Sequence, residues 1–289
     1  MSAGAYGPML DALRGLTWPA RLVPRSVTAG THPSRLRGAT AEFTEYRAYR
    51  QGDDPRRIDW KLLARTDRAF LRITQERATH ATLFVLDASA SMDFPDGPIS
   101  KWQHACQLVV GLASVALAAG DPVGWLVAGV PHLGRAPRAR RDTLADLIRT
   151  LDRVTPDVDA PLAPLLAGSV RASRIVIVSD LLGDGDAVRR AAGVQRARGT
   201  DISVLHVVAP EERNPPSAAR LAEDPEQPTL RATLHDTTRV AYRSAFAAWR
   251  AEQARAWRAL GATYREVSSD APAARDIRAF IARRVEDAA

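Results

Sequence analysis

The chain has 289 residues, 46% of them hydrophobic and 25% charged, which is typical of a globular protein with a buried core. The formal net charge is +7, but the basic residues are nearly all arginines scattered among acids. The longest basic cluster, residues 135–141, contains no aromatic side chain. We therefore expect no nucleic-acid partner. The single cysteine, Cys106, excludes an intramolecular disulfide and a zinc site built from cysteines.

Two stretches of the chain argue against a membrane protein. Residues 1–24 do not have the basic start and apolar core of a signal peptide. The longest apolar run, residues 105–119, is 15 residues long, whereas a membrane-spanning helix needs roughly 20 residues. Together with the lone cysteine, these features predict a soluble, cytoplasmic protein without a membrane span.

Three regions follow one another along the chain. Residues 1–35 are rich in Gly, Pro and Ser, and we expect a loosely ordered arm with one short helix near residues 9–16. Residues 36–79 are polar, contain aromatic residues and have no long apolar run, which indicates a small region that contains β-structure. In residues 80–289, apolar strands alternate with helices.

This alternation predicts an α/β domain with a doubly wound, mostly parallel sheet. Residues 210–236 interrupt it with a stretch rich in Pro and Glu, which we expect to be a hairpin or loop excursion. The predicted strands are 82–87, 123–130, 174–180, 202–208 and 262–267, and the predicted helices are 102–119, 142–154, 162–172, 186–198, 238–260 and 274–284.

Two of the predicted core strands end in an aspartate. One is followed by the pattern D-x-S-x-S, formed by Asp87, Ser89 and Ser91, and the other is followed by Asp180. Because open α/β sheets bind ligands beyond the carboxyl ends of their strands, we expect these side chains to converge on one crevice. Hard oxygen donors without nearby Cys or His suit Mg²⁺ or Mn²⁺. The alternative interpretation is a strand end followed by a serine-rich turn.

The pattern resembles the metal-ion-dependent adhesion site of von Willebrand factor type A domains. In that family D-x-S-x-S follows the first strand, a Thr comes from a middle loop and an Asp follows the fourth strand. The resemblance implies that Asp87, Ser89, Ser91 and Asp180 bind the metal ion. The corresponding middle loop has no hydroxyl in this chain, so either Asp159 substitutes as a ligand or the site is incomplete.

A second resemblance covers nearly the whole folded chain, residues 37–285. The string GDDPRRIDW at residues 52–60, followed by D-x-S-x-S, is similar to the signature of the bacterial domain of unknown function family 58. Its residues favour a turn with Arg–Asp pairs that fix the small region on the sheet, with the tryptophan in the core, over a binding role. The signature residues are Asp53, Asp54, Arg56, Arg57, Asp59, Trp60 and Arg65.

The family resemblance also implies a partner, since members often occur beside MoxR-type AAA+ ATPases. A Mg²⁺ ion held by serine hydroxyls stays electrophilic and keeps open positions, and an Asp or Glu of a partner can complete its coordination shell. We therefore favour a non-enzymatic, metal-dependent protein-interaction module with a chaperone-like or complex-assembly role. The oligomeric state is not predicted.

Two alternatives remain open. A metal-dependent phosphatase or nuclease would also use aspartates at strand ends. However, a phospho-aspartyl phosphatase needs a second Asp where this chain has Ser89, and no well-placed lysine is evident. Motifs for nucleotide binding and for serine hydrolases are missing as well, so no catalytic residue is assigned. The other alternative is an interaction scaffold with a degenerate metal site, because the middle-loop Thr is missing.

Overall fold

The computed structural model describes residues 6–18, 29–33, 43–74, 77–157, 161–168, 172–183, 185–217, 221–223, 229 and 231–286. The chain divides into two units. The smaller unit is residues 23–79, and the larger unit combines residues 80–289 with residues 1–22.

The N-terminal segment packs into the core of the larger unit. Helix α1, Gly7–Ala12, is followed by a turn that leads to Trp18. Tyr6, Leu13 and Trp18 are all buried, and the Trp18 ring lies edge-on to the Phe280 ring at 5.7 Å. The prediction of a loosely ordered arm is therefore wrong for the described part of this segment. Burying three large apolar side chains outweighs the flexibility that Gly, Pro and Ser would otherwise confer.

The described part of the smaller unit contains short antiparallel strand pairs, one α-helix and one short 3₁₀ helix. Its elements are β1 Ala29–Pro33, β2 Phe43–Ala48, α2 Trp60–Thr66, β3 Phe70–Thr74 and β4 Arg77–Ala78. Strand β1 pairs with β4, and strand β2 pairs with β3. The Tyr46 ring on β2 packs edge-on against the Phe70 ring on β3 at 6.2 Å. Aromatic pairs across strands are a common way of stabilising small sheets.

The larger unit alternates between strands and helices, as the sequence predicts. Its strands are β5 Thr82–Leu86, β6 Val123–Val127, β7 Arg135–Arg138, β8 Arg174–Ser179, β9 Asp201–Val208, β10 Leu221–Glu223, β11 Arg231–Thr233 and β12 Thr263–Ser268. Its helices are α3 Lys101–Ala118, α4 Thr143–Leu151, α5 Ala163–Ala167, α6 Gly185–Ala197, α7 Pro210–Arg213, α8 Asp236–Ala259 and α9 Ala273–Glu286. Strands β10 and β11 form an antiparallel hairpin within the predicted excursion.

The described strands of the central sheet follow the order β12-β9-β8-β5-β6-β7. All neighbouring pairs are parallel except β6 and β7, which are antiparallel. This confirms the predicted doubly wound, mostly parallel α/β fold. From β5 the chain continues to β6 on one side, and it returns later to β8 on the other side. The strand order therefore reverses between β5 and β8, where sheets of this kind form a ligand-binding crevice.

Alternate residues of each strand point to opposite faces of the sheet, and both faces are covered. Phe84 and Leu86 of β5 belong to an apolar cluster with α1, α3, α4 and α9. Leu83 and Val85 belong to a second cluster, with α5, α6 and α8. Burial on both faces explains why the core strands read as continuous apolar runs.

The longest apolar run of the sequence forms a buried helix. Helix α3 contains the longest apolar run and is buried within the larger unit. Among the described residues, no helix combines the length and the apolar character that crossing a membrane requires.

The sequence patterns do not predict strand β7, because Arg135 and Arg138 of this short edge strand resemble a basic cluster. Charged side chains are characteristic of exposed edge strands.

Trp18 is expected to contribute strongly to the stability of the larger unit. Its buried ring contacts Phe84 and Phe280, and the Arg174 guanidinium lies 3.9 Å from the ring centroid. Trp18→Ala should lower the free energy of unfolding by about 3–5 kcal/mol, measured by urea denaturation with circular dichroism. Trp60→Ala removes a 62% exposed tryptophan from the other unit and serves as the matched control, with a change of about 0.5 kcal/mol or less. Equal midpoints for the two variants would contradict the assignment.

Candidate functional site

Asp87 and Asp180 lie side by side at the carboxyl ends of the adjacent strands β5 and β8. The Asp87 N–H donates to the Val178 carbonyl at 2.9 Å, which extends the ladder between the two strands. Both carboxylates are buried. They lie at the reversal of the strand order, so two aspartates that are distant in the sequence lie at the same end of the sheet.

The hydroxyls of the D-x-S-x-S loop gather at the same place. The Ser89 N–H donates to Asp87 Oδ1 at 3.0 Å, and the Ser89 and Ser91 Oγ atoms are 3.1 Å apart. Ser179, which precedes Asp180, donates its hydroxyl to Asp87 Oδ2 at 2.6 Å. The structure therefore brings Asp87, Ser89, Ser91 and Asp180 together as one cluster of oxygen atoms. Such a cluster has the hard donors that a divalent cation prefers.

A buried lysine joins this cluster. Lys101 Nζ lies 2.7 Å from Asp180 Oδ2 and 2.5 Å from Glu212 Oε1, and its side chain is only 1% exposed. Glu212 belongs to α7, and its other carboxylate oxygen accepts from the Ala209 N–H at 2.7 Å. The expectation that no lysine is well placed is therefore wrong. The lysine and its two carboxylates come from three separate elements, so no local pattern predicts that they meet.

One sequence signal could have drawn attention to Lys101. It is one of only two lysines in the chain, and it occupies the first position of α3. A cation is unfavourable at a helix N-terminus, because it faces the positive end of the helix dipole. A capping box formed by Ser100 and Gln103 begins the helix without any help from this lysine. This position therefore places the ammonium next to the two carboxylates and does not stabilise the helix.

The charges of the cluster are balanced at one aspartate but not at the other. Burial and then the negative charge of Asp180 raise the pKa of Asp87 to about 6. Burial opposes ionisation of Asp180 too, but the Lys101 ammonium outweighs it and holds the pKa of Asp180 below its ordinary value. Burial raises the pKa of Glu212 in spite of Lys101. Lys101 and Asp180 thus form a true ion pair, whereas no cation among the described residues pairs with Asp87.

The backbone after β8 is strained where it orients the cluster. Leu181 is buried and has a φ of 60°, in the left-handed region that non-glycine residues rarely adopt. Its N–H donates to Ser179 Oγ at 2.8 Å, and the Leu182 N–H donates to Asp180 Oδ1 at 3.1 Å. Backbone strain of this kind tends to collect at functional sites.

The middle loop reaches the cluster through its backbone. The Asp157 N–H donates to the Ala88 carbonyl at 3.1 Å, while the Thr155 side chain is exposed. Asp159, the expected substitute for the missing Thr, lies outside the described residues. Within the described ranges, no group of three or more His, Cys, Asp and Glu residues is arranged to hold a metal ion. Any metal ion here would therefore depend on serine hydroxyls for part of its coordination.

Exposed apolar side chains border the buried charges, and we call Phe94, Leu182 and Tyr242 the apolar rim. They are 39%, 46% and 38% exposed. The Phe94 ring centroid is 5.9 Å from Lys101 Nζ, and Leu182 follows the aspartate loop. Burial and then the charge of Glu212 raise the pKa of Tyr242.

In the smaller unit, the first signature aspartates stabilise a turn. Asp53 accepts from Arg47 Nη2 at 2.7 Å and from the Arg50 N–H at 2.8 Å. Asp54 caps the short 3₁₀ helix that follows it by accepting from the Arg56 N–H at 3.0 Å. These contacts give the residues a role in folding.

The later signature residues belong to helix α2. Asp59 caps the helix by accepting from the Leu62 N–H at 3.0 Å, and Arg65 lies in its last turn, where a cation is favourable. The Arg57 side chain lies outside the described residues. The expectation that Trp60 is a core residue is wrong, since it is mostly exposed. It begins a helix of seven residues in which no residue is fully buried.

Comparison with known proteins gives a family but no activity. The family described as "Protein of unknown function DUF58" matches residues 45–256. The "Uncharacterized protein Rv1480" of Mycobacterium tuberculosis (strain ATCC 25618 / H37Rv) is 28% identical over 283 residues, covering 94% of this chain and 89% of its own. The "Uncharacterized protein Mb1516" of Mycobacterium bovis (strain ATCC BAA-935 / AF2122/97) matches to the same extent.

Two solved structures are also similar. The conserved hypothetical protein BatB from Bacteroides thetaiotaomicron has a TM-score of 0.44 and 18% identity, and it covers 71% of this chain and 98% of its own. An aerotolerance-related membrane protein from Bacteroides fragilis NCTC 9343, with multiple mutations to serines, has a TM-score of 0.42 and 18% identity. That match covers 70% of this chain and 98% of the Bacteroides protein.

Neutralising the two aspartates should change stability in opposite directions. Asp87→Asn removes a buried charge that is repelled by Asp180, so the melting temperature should rise, by the equivalent of about 1–2 kcal/mol. Asp180→Asn takes a carboxylate from the buried Lys101 and should cost about 3 kcal/mol. Differential scanning fluorimetry in chelator at pH 7 measures both, and shifts of the same sign would contradict the charge assignment.

The stabilisation by Asp87→Asn should also depend on pH. Folding raises the pKa of Asp87 from 3.8 to about 6, so folding favours the protonated form. The stability that this group contributes is present below pH 4 and is lost as the pH rises through 6. The variant should therefore melt close to wild type at pH 4 and furthest above it at pH 7.

Proposed function

We propose that this chain, which belongs to the DUF58 family of proteins of unknown function, is a protein-interaction module whose binding site is the Asp87–Asp180 cluster with its apolar rim. The observation that carries the proposal is the convergence of two buried carboxylates and two serine hydroxyls where the strand order reverses. This position is the usual ligand crevice of the fold.

The surroundings of the cluster favour a protein as the ligand. Exposed apolar side chains beside a polar centre are characteristic of surfaces that other proteins cover. Phe94, Leu182 and Tyr242 supply such a surface around the cluster. The serine hydroxyls and carboxylates at its centre would then provide specificity, because a partner must satisfy them when it excludes water.

We also propose that Mg²⁺ or Mn²⁺ is the cofactor, held by Asp87, Ser89 and Ser91 together with Asp180. When bound, the ion would offer an open coordination position to a carboxylate of the partner. The charge of the cluster supports this. Three carboxylates (Asp87, Asp180 and Glu212) and one ammonium (Lys101) carry a formal charge of −2, which one divalent cation neutralises.

A MoxR-type AAA+ ATPase is the partner we propose, in a chaperone-like or complex-assembly role. The support is the family resemblance in the sequence, together with a site suited to a protein ligand. The enzyme alternative gains a lysine from the structure, but two carboxylates already bind that ammonium, which leaves it poorly disposed to bind a substrate phosphate. A binding role therefore fits the arrangement better than phosphoester hydrolysis.

Capture of the ATPase should depend on Asp87 and on divalent metal. The immobilised protein is incubated with a purified MoxR-type ATPase in Mg²⁺ or in EDTA, and the bound fraction is quantified. EDTA and Asp87→Ala should each reduce capture about tenfold or more, since both remove the bridge between the two proteins. Asp11→Ala, which removes an exposed carboxylate on α1, is the matched control and should capture like wild type.

Each contrary result of this experiment identifies a different alternative. Capture that survives both EDTA and Asp87→Ala would remove the metal bridge and favour the scaffold with a degenerate site. Turnover of a phosphoester substrate that requires Asp87, assayed in parallel, would favour the enzyme. Failure to capture any ATPase in Mg²⁺ would refute the proposed partner.

The apolar rim gives an independent prediction. Leu182→Asp places a charge where the partner should cover an exposed leucine, and it should weaken capture about tenfold. Because Leu182 is nearly half exposed, the melting temperature should change little. Leu221→Asp, on the hairpin strand β10, alters a similarly exposed leucine and should leave capture unchanged. Equal capture by wild type and Leu182→Asp would exclude the rim from the interface.

A further inference from the structure

We infer that Lys101 and Glu212 together set the affinity of the cluster for a divalent cation, with Lys101 acting as an internal competitor for Asp180. The inference rests on the proposed function and adds to it how the site is regulated. Neither residue belongs to the D-x-S-x-S pattern or to the family signature.

The hydrogen bonds of the two aspartates show which oxygens are taken. Asp180 accepts from the Lys101 ammonium on Oδ2 at 2.7 Å, from the Leu182 N–H on Oδ1 at 3.1 Å and from the Ser91 side chain. Among the described residues, the donors to Asp87 are neutral: the Ser179 hydroxyl, and the N–H and hydroxyl of Ser89. An ammonium bound to a buried carboxylate opposes a second cation at the same oxygen, by occupancy and by repulsion. A metal ion can therefore approach from Asp87, but it must compete with Lys101 for Asp180.

Glu212 limits how strongly Lys101 competes. Its Oε1 lies 2.5 Å from Lys101 Nζ, on an ammonium that also binds Asp180. The second oxygen of Glu212 is fixed by the Ala209 N–H at 2.7 Å, so the carboxylate is held toward the lysine. Because the ammonium is shared between two carboxylates, its interaction with each of them is weaker. Without the charge of Glu212, Lys101 would pair with Asp180 alone.

The formal charges of the cluster predict an order of affinities. The wild-type groups sum to −2, as given above. Lys101→Met leaves −3 and frees Asp180, so it should bind a divalent cation most tightly. Glu212→Gln leaves −1 and returns the ammonium to Asp180, so it should bind most weakly. Wild type should lie between the two.

The test is titration of Mn²⁺ into the full chain, with the free ion followed by electron paramagnetic resonance. Lys101→Met should bind Mn²⁺ at least about tenfold more tightly than wild type, and Glu212→Gln at least about tenfold more weakly. Arg213→Met is the matched control: it removes one positive charge from the residue that follows Glu212 in the sequence, whose side chain pairs with Glu266. It should stay within about twofold of wild type, since this charge is partly exposed to solvent and already paired.

Lys101→Met leaves the buried Asp180 and the partly buried Glu212 without their cation, so its folding needs a separate measurement. Its melting temperature should be low in chelator and should rise with Mn²⁺ by more than that of wild type. Glu212→Gln keeps the Lys101–Asp180 pair and should fold in chelator. Its weaker Mn²⁺ binding therefore tests the inference even if Lys101→Met does not fold.

The possible results separate this inference from the proposed function. Equal Mn²⁺ affinity in wild type and Glu212→Gln, with binding still lost in Asp87→Ala, would overturn the inference and leave the metal site intact. A change in Arg213→Met as large as that in Lys101→Met would also overturn it, because general electrostatics would then explain the order. No Mn²⁺ binding by any variant would overturn both the inference and the metal-dependent mechanism, whereas the capture assay tests the partner separately.

Discussion

Two buried carboxylates lie side by side because β5 pairs in parallel with β8, and the candidate site depends on this pair of like charges. Asp87 follows one strand and Asp180 follows the other, at the reversal of the strand order. Like charges in a low-dielectric environment are unfavourable unless a cation or a proton intervenes. The chain meets this requirement at Asp180 with the Lys101 ammonium, and it leaves Asp87 with a raised pKa. Among the residues that the structure describes, no cation pairs with Asp87 to balance its charge.

This arrangement lowers the stability of the unbound protein, and a bound ligand would restore that stability. A buried carboxylate without a cation, a left-handed Leu181 and a lysine at a helix N-terminus are each unfavourable locally. Natural proteins keep such features where function requires them. A bound divalent cation, or a donor from a partner protein, would relieve the strain on Asp87 in particular. Ligand binding would then stabilise the loops at the carboxyl ends of β5 and β8.

The family signature lies in the smaller unit and the D-x-S-x-S pattern lies in the larger unit, and the two make different kinds of contact. The signature aspartates of the smaller unit act mainly as caps and turn acceptors, as the Asp54 and Asp59 contacts show. The D-x-S-x-S residues, in contrast, lie with Asp180 beyond the carboxyl ends of β5 and β8 in the larger sheet. A family signature can therefore be specific because it specifies a small fold, while the proposed binding site uses residues elsewhere in the chain. Trp60 is the exception, since its exposure gives it no evident part in the folding of α2.

Local patterns in the sequence are sufficient for the parallel strands of the central sheet, for most of its helices and for the positions of Asp87 and Asp180, but not for the edge strand β7. Apolar runs buried on both faces mark parallel strands, and a carboxylate at the end of such a run needs no long-range information. Lys101, Glu212 and the burial of Trp18 could not be read in this way, because each depends on contacts between elements far apart in the sequence. Only the tertiary structure decided them, since burial and the choice of ion-pair partner are set by packing and not by periodicity.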